Sequence, residues 1–479
     1  PCPLKTLILP LSLFVYFVVK TFLDTIYLED TICAPATAVG GAVAMLRLSG
    51  AESVAVASRL WRGRCGLAEL PPRVLTLGKL CQASGEVIDQ ECLAVRMPAP
   101  HSYTGEDVVE LHCHGGALCA QLALRALLAA GCRLADPGEF SKRAFLNGRM
   151  DLTQAEAVAD LIRAGSEAAL QLANRQLDGN FGRSVRKFYD DLLFLLSEIE
   201  SRLDFPEEDL EWQSVPAMAE QLQGIQLQLE RSAASRRQGE ILRGGIKLAI
   251  AGAPNVGKSS LLNAILGQER AIVSDIPGTT RDSIEVPVSI RGIPIHLIDT
   301  AGLRHGGDSI ERIGIERTRK NLAIADLILW VMDASMPLPP QVLEQELPPG
   351  KVLYIANKAD RLPEIPTAPP ADFTPEAPLL YTCALDGTGL EQLYDAIEEF
   401  VWQGKSGLEN DFAVSERHYH SLEAASTYIR EATQQLEGET WELAAAALHQ
   451  AISELGKITG QTLSDDILDQ IFARFCIGK

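Results

Sequence analysis

The sequence predicts a multidomain α/β chain: an N-terminal α/β domain, a helical domain, and a second α/β domain inserted between the two halves of the helical one. Three observations predict it. The apolar run Ile246 to Ala251 leads into Gly252-Ala-Pro-Asn-Val-Gly257-Lys258-Ser259-Ser260 and then Leu261-Leu-Asn-Ala-Ile-Leu266, a strand, a glycine loop and a helix in the order of a P-loop domain. Helical periodicity fills the stretch before this domain and resumes after it. Residues 29–147 instead alternate short apolar runs with turns around one clear helical segment, Ala117 to Ala130.

At the N-terminus, Thr6 to Val19 is an uncharged, mostly apolar run between Lys5 and Lys20. It is shorter than the roughly 20 residues needed to span a bilayer. It fits a signal h-region, and Ala34-Pro-Ala36 resembles a cleavage site. A secreted nucleotide-binding domain would meet no nucleotide, however, and the chain opens on Pro. Residues 1–28 are therefore read as a non-native or misassigned extension, and no membrane partner is expected.

In the segment 29–147, Glu110 sits on a strand before a Gly-rich turn. His112-Cys113-His114, with Cys119 nearby, is a single short cluster without a second ligand pair, a weak metal signal. His114-Gly-Gly116 reads instead as a turn and helix cap. Residues 148–243 form the first helical part: Ala155, Val158, Ala159 and Ile162 share one face, as do Leu192, Leu195, Leu196 and Ile199. Gly179 to Gly182 marks a break. Arg236 to Gly245, basic and ending in two glycines, reads as a hinge into the inserted domain, 244–405. That domain closes on a helix, Leu390 to Trp402, before the second helical part, 406–479.

The composition is that of a globular protein, 47% hydrophobic and 22% charged over 479 residues, which suffices for two to four domains. A net charge of −20 repels polyanions on average, so an RNA partner has to meet a local basic patch or be shared with another protein. Ten scattered cysteines read as reduced cytoplasmic thiols rather than a disulfide framework.

The inserted domain carries its ligand in four motifs. Glycines 252 and 257 let backbone N–H groups turn around a phosphate, and the helix that follows adds its dipole. Lys258 is placed to reach the β- and γ-phosphates and the Ser259 hydroxyl to ligate Mg²⁺, with Asn255, Val256, Gly257 and Ser260 completing the loop. Asp299-Thr300-Ala301-Gly302 closes the apolar run Ile293 to Ile298. Its Asp can hold Mg²⁺ through water and its Gly N–H can contact the γ-phosphate. Asn357-Lys358-Ala-Asp360 follows the run Val352 to Ala356. The Asp360 carboxylate can accept two hydrogens from the guanine N1/N2 edge, which adenine does not offer. Thr382-Cys383-Ala384-Leu385 lies where a base-contacting loop belongs, with the Ala384 N–H for guanine O6, although GTPases more often carry Ser in place of Cys383. Gly278-Thr279-Thr280-Arg281 supplies a switch threonine, Thr280, for Mg²⁺ and the γ-phosphate. The set specifies a GTP-binding domain of Ras-like P-loop type.

Leu303, directly after Gly302, stands where many GTPases place a Gln that orients the attacking water, and a leucine cannot do this. Hydrolysis is then slow, or another group positions the water. Arg304 and Glu311 are the nearby candidates, and the Asn255 side-chain carbonyl could seat a monovalent cation beside the phosphates. The chain ends on Cys476-Ile-Gly-Lys479, which is not a prenylation box. A thiol on such a tail can reach a distant active site as nucleophile or acid; the alternative is a frayed end.

Over residues 29–479 the chain closely resembles the bacterial tRNA-modifying GTPase family MnmE, also called TrmE. The segments that carry the resemblance are Asp30-Thr-Ile32, Leu46-Arg47-Leu-Ser-Gly50, Tyr103-Thr-Gly-Glu-Asp107, His114-Gly-Gly116, Pro137-Gly-Glu-Phe-Ser141, Arg143-Ala-Phe-Leu-Asn147, Asp204-Phe-Pro-Glu-Glu208, the nucleotide motifs, Glu311-Arg-Ile-Gly-Ile-Glu-Arg317 and the terminal Cys-Ile-Gly-Lys. The resemblance implies an N-terminal folate-binding and dimerisation domain, with folate contacts at Arg47, Glu110, Arg149 and Lys479 and a functional thiol at Cys476. It implies a homodimer that pairs with an FAD-dependent partner, MnmG (GidA), as a heterotetramer. Together they would modify C5 of the wobble uridine of certain tRNAs in the cytoplasm, with the one-carbon unit drawn from 5-formyl- or methylene-tetrahydrofolate. It further implies a K⁺ site at Asn255, Ser274, Ile276 and Thr279, nucleotide contacts along Ser274-Asp275-Ile276-Pro277-Gly278, and Glu311 orienting the water once two GTPase domains meet. The loop Ala36-Thr-Ala-Val-Gly-Gly-Ala42 is one residue shorter than the family's usual Gly-rich run. Ribosome-assembly GTPases share Pro-Asn-Val-Gly-Lys-Ser, but they lack this tail and append a basic RNA-binding domain, which the acidic balance argues against.

Overall fold

The computed structural model describes residues 30–205, 213–268, 285–299, 322–337, 350–366, 378–402 and 414–479. The chain divides into two compact units, one formed by residues up to Ala155 together with Thr459–Lys479, the other by Glu156–Ile458. The last segment, which the sequence assigns to the second helical part, thus packs within the N-terminal unit.

In the first unit, β1 (Ile32–Pro35), β2 (Val43–Ser49), β3 (Trp61–Gly63), β4 (Thr76–Cys81), β5 (Val87–Met97), β6 (Val108–His114) and β7 (Arg133–Leu134) form one sheet in the order β3-β4-β5-β6-β2-β1-β7. Only the β1–β7 pairing is parallel. Helices α1 (Ser53–Leu60) and α2 (Ala117–Ala129) cover one face, against Ala44, Leu46 and Leu48 of β2 and Val109, Leu111 and Cys113 of β6. Successive strand side chains alternate faces, so Met45 and Arg47 of β2, and Glu110 and His112 of β6, belong to the opposite face. The register makes Arg47 the direct partner of Glu110. Helix α3 (Glu139–Leu146) follows β7.

In the second unit the helices come first: α4 (Leu152–Arg163, which begins in the first unit), α5 (Glu167–Leu177), α6 (Asn180–Asp204), α7 (Val215–Ala233) and α8 (Arg236–Gly244). The expected apolar face of α6 is fully used, with Leu192, Leu195, Leu196 and Ile199 buried, whereas Ile162 of α4 stays exposed. Gly179, in the left-handed region, separates α5 from α6 as expected. The stretch read as a hinge is instead helix α8. Arg236 pairs with Glu240 one turn on, and Leu242 is buried against Leu172. It stops at Gly245 (φ +67°), where a Cβ would sit 2.8 Å from the Pro294 carbonyl oxygen.

Strands β8 (Ile246–Gly252), β9 (Glu285–Ile290), β10 (Ile293–Asp299), β11 (Leu327–Asp333), β12 (Val352–Asn357) and β13 (Leu379–Thr382) make the second sheet, ordered β13-β12-β11-β8-β10-β9. Every pairing is parallel except β9 with β10. The continuous apolar runs of β8, β11 and β12 follow from burial on both faces. Helix α9 (Lys258–Gln268) follows β8 and α10 (Leu390–Trp402) follows β13. After it come α11 (Glu416–Glu437) and α12 (Trp441–Thr459), whose Leu422, Ile429, Leu448 and Leu455 share one core with Leu192, Ile199, Leu222 and Leu229 of α6 and α7. Helical stretches on either side of the insertion therefore close around each other. Finally α13 (Asp465–Phe472) packs in the first unit, with the Phe472 ring 6.3 Å from that of Phe145.

Candidate active site

The phosphate loop lies between β8, a central strand of its sheet, and α9. Three of its residues have positive φ: Gly252 (+144°), Asn255 (+63°) and Gly257 (+100°). A Cβ on Gly252 would fall 2.1 Å from the Val331 carbonyl oxygen, and one on Gly257 would fall 2.2 Å from Asn357 Nδ2. Only glycine lets the loop wrap this tightly, and the resulting cradle at a helix N-terminus suits a polyphosphate. Lys258 Nζ donates to the Gly252 and Ala253 carbonyls at 3.0 and 2.7 Å, over the loop where it was expected. Val256 is buried, while Asn255, Ser259 and Ser260 are exposed.

Asn357 is the bracket of this site. Its Nδ2 donates to the Val256 carbonyl at 3.0 Å, and its Oδ1 accepts from the Ala384 N–H at 3.2 Å and lies 3.4 Å from the Thr382 hydroxyl. The Ala384 N–H, expected to serve guanine O6, is thus engaged by Asn357. Lys358 Nζ donates to the Asn255 carbonyl at 2.6 Å and to Asp333 at 2.7 Å. Burial alone would raise the Asp333 carboxyl, but Lys358 and Ser335 outweigh it and pull it down to about 2. Asp360 is exposed and accepts from the Cys383 thiol at 3.3 Å; Leu385 is exposed beside it. So the structure gathers the phosphate loop, 357–360 and 382–385 at one end of the sheet. Ser274, Asp275, Ile276, Pro277, Gly278, Thr279, Thr280, Thr300, Ala301, Gly302, Leu303, Arg304 and Glu311 lie outside the described residues, as does the side chain of Asp299.

A second site occupies the first unit, on the sheet face away from α1 and α2. Arg47 Nε donates to Glu110 Oε1 at 2.9 Å, and its guanidinium stands 5.2 Å from the Tyr103 ring centre and 5.8 Å from that of Phe140. Arg47 Nη1 also donates to the Gly478 carbonyl at 3.4 Å, which brings the C-terminal tail to the pair. Burial would raise Glu110, but His112 and Arg47 hold its carboxyl below the usual range. Burial, then the Arg47 charge, keeps the Lys479 ammonium below the ordinary lysine value. The tail is docked rather than frayed. Gly138 N–H donates to the Cys476 carbonyl at 3.3 Å, and Gly478 (φ +95°) lies so close to β1 that a Cβ would be 2.2 Å from the Pro35 carbonyl oxygen. The Cys476 thiol is exposed. Arg149 Nε donates to the Ser102 carbonyl at 3.1 Å, beside the 102–105 loop. His112 Nε2 is buried 3.5 Å from Glu110 and, among the described residues, has no closer hydrogen-bond partner. A carboxylate, two cations and an unsatisfied ring nitrogen in one place fit a small ligand with an amidine edge and anionic groups.

The profile described as the TrmE N-terminus of a GTP-binding protein matches residues 31–149, and that of the MnmE helical domain matches residues 152–476. A tRNA modification GTPase MnmE from Synechococcus is 43% identical over 94% of this chain and 99% of its own length. The chain belongs to the MnmE family of tRNA modification GTPases. Its MnmE relatives from Shouchella clausii and Symbiobacterium thermophilum are 39% and 43% identical, over 94% of this chain and 99% and 100% of their own lengths. Like other members it is a GTP-hydrolysing enzyme. Among the described residues no helix is long and apolar enough to cross a membrane.

Sequence reading missed the parts of the MnmE-type sites that act through neighbours. Asp333, the partner of Lys358, lies at the end of an apolar strand with no motif around it. In the first unit Arg143 is buried and bonds the Asp30 carbonyl, Glu106 and Glu139, while the Ser49 hydroxyl bonds Thr104 and Glu106. These contacts join the quoted segments 30–32, 46–50, 103–107 and 143–147 into one frame under Arg47. Of the three carboxylates around this buried Arg, Glu139 lies one turn before it on the same helix, whereas Asp30 and Glu106 come from separate segments and leave no spacing signal.

Proposed function

We propose that this chain is a GTP-driven enzyme of tRNA modification that helps install an aminomethyl or carboxymethylaminomethyl group at C5 of the wobble uridine, position 34, of certain tRNAs. The observation that carries this reading is the C-terminal tail docked at Arg47, which sets the exposed Cys476 thiol in the same unit as the Arg47–Glu110 pair. Glu110, held ionised, would receive the amidine edge of a pterin, while Lys479 and Arg149 would take anionic groups of the same ligand. A 5-formyl- or methylene-tetrahydrofolate bound there would supply the one-carbon unit. The redox chemistry would come from the FAD of an MnmG (GidA) partner, joined to a homodimer of this chain as a heterotetramer acting in the cytoplasm.

The nucleotide site would drive the cycle. The loop 252–260 holds the phosphates, with Lys258 leaving its carbonyl contacts for the β- and γ-oxygens. Asp360 reads guanine, and Asn357 keeps the base loop and the phosphate loop in register. Ser259 and Thr280 would hold Mg²⁺, and Asn255, Ser274, Ile276 and Thr279 would hold K⁺, which supplies positive charge where other GTPases use an arginine. Glu311 would orient the attacking water in place of the residue that Leu303 cannot replace, once two GTPase domains face each other. Mass analysis of wobble nucleosides from a strain deleted for this gene tests the reading. Loss of the C5-modified uridine and its return on complementation are expected; a full complement of modified uridine in the deletion refutes it.

A further inference from the structure

Outside both sites, the first unit gathers metal-binding side chains from three elements. One ligand atom each from Asp89 on β5, Cys113 on β6 and Cys119 in the first turn of α2 lie within 4.8 Å of one another. Asp89 and Cys113 are buried; Cys119 is half-buried on the open side. A fourth donor is adjacent: His114 Nδ1 lies 3.0 Å from both Asp89 oxygens, with its side chain 68% exposed. The carboxylate is aimed by backbone, accepting the His114 N–H at 2.7 Å and the Glu91 N–H at 3.0 Å. The turn 114–116 brings α2 back over the sheet. Gly115 passes so near the neighbouring loop that a Cβ would be 2.2 Å from the Gly41 carbonyl oxygen. The sequence showed only His112-Cys113-His114 with Cys119; Asp89, from another strand, was invisible to it.

We propose that Asp89, Cys113 and Cys119, with His114 as fourth ligand, form a structural site for a divalent transition metal, zinc by preference. Two sulfurs exclude Mg²⁺ and Ca²⁺ as natural occupants, and a mixed S₂NO set in tetrahedral array suits Zn²⁺. Metal–sulfur bonds of about 2.3 Å imply ligand edges of roughly 3.7 Å, which the cluster reaches by side-chain rotation. Binding releases both thiol protons to solvent, including the Cys119 proton now directed at Asp89. Four protein ligands leave no position for substrate, so the metal fastens β5 and α2 to β6, the strand that carries Glu110 and His112.

The test uses the full chain, purified under reducing conditions, dialysed against EDTA and titrated with ZnCl₂ or CoCl₂ alone. One zinc per chain, a thiolate-to-cobalt charge-transfer band and a zinc-dependent rise in thermal midpoint are expected. Cys119→Ser and His114→Ala, at less buried positions than Cys113, should remove the midpoint rise, and Cys119→Ser should weaken the band. Cobalt at an oxygen-lined Mg²⁺ site gives no such band. Failure to retain stoichiometric zinc, a band unchanged in Cys119→Ser, or thiols that only form a Cys113–Cys119 disulfide and take up no metal when reduced would each overturn the proposal.

Discussion

Gly478→Ala should undock the C-terminal tail and stop the tRNA chemistry without touching GTP hydrolysis. At φ +95° an alanine pays roughly 1–2 kcal/mol for a left-handed backbone. Its Cβ would also lie 2.2 Å from the Pro35 carbonyl oxygen and 2.9 Å from Ala36 Cα. Both are backbone atoms of a strand and its end, so neither can swing aside and the last turn has to lift. Lifting breaks the 3.4 Å bond from Arg47 Nη1 to the Gly478 carbonyl and the 3.3 Å bond from Gly138 N–H to the Cys476 carbonyl. At these long distances each contributes about 0.5–1 kcal/mol. Strain with the tail docked and loss of these bonds with it lifted are alternatives, so the cost is about 2 kcal/mol, a factor of roughly 30 in the docked population. Two assays read it. Amide exchange of the peptide containing Gly138 should quicken by up to that factor, and C5-modified wobble uridine should fall to near the deletion level, while GTPase rates stay within about twofold of wild type. Wild-type levels of modified uridine despite quickened Gly138 exchange would show that the docked tail is not what the site needs, and unchanged exchange would deny Gly478 its part in docking it.

Other outcomes follow from the same geometry. Cys476→Ser should abolish modification with GTP hydrolysis near normal; unaltered nucleoside levels on mass analysis would remove the thiol from the chemistry. Asn357→Ala leaves the Val256 carbonyl and the Ala384 N–H without their partners, at about 2 kcal/mol. Calorimetric GTP affinity should drop roughly 30-fold, and an unchanged Kd would deny Asn357 its bracketing role. Glu311→Ala should slow a K⁺-stimulated GTPase about 100-fold or more with nucleotide binding kept; equal wild-type rates in Na⁺ and K⁺ would sink the cation assignment. Acid should weaken the helical core through His418, which is buried with Nε2 2.7 Å from Glu156. Burial holds this imidazole below its ordinary value in spite of Glu156. The folded value is thus the lower one, so its contribution is complete above the unfolded value of about 6.5 and is lost as pH falls through the folded value. Thermal midpoints should drop on acidification below about pH 6.5 and the slope should flatten in His418→Gln; the same slope in both proteins would clear His418. Glu156, paired with Arg417 and His418, is held well below the carboxylate range and adds its loss only at lower pH.

The nucleotide domain was legible because its chemistry is local. Gly252 to Ser260 must turn within nine residues, and an apolar run has to precede the turn, so the loop, its strand and its helix follow from adjacent side chains. Arg236 to Gly245 was misread as a hinge because two terminal glycines outweigh, on paper, the Arg236–Glu240 pair and the burial of Leu242, and burial is a property of the fold.

Local order therefore settles the phosphate loop with its strand and helix, and that guanine is the base Asp360 suits. Long-range pairing settles the rest. Arg47 meets Glu110 only because β2 and β6 align in one register, and a shift by a single residue would turn Glu110 into the core. Arg47 also receives a carbonyl from 431 positions further along the chain, and Asp89 joins Cys113 and Cys119 across two strands and a helix. Such groups share no spacing in the sequence; the sheet brings them together because burying its apolar face fixes where every polar side chain on the other face must point.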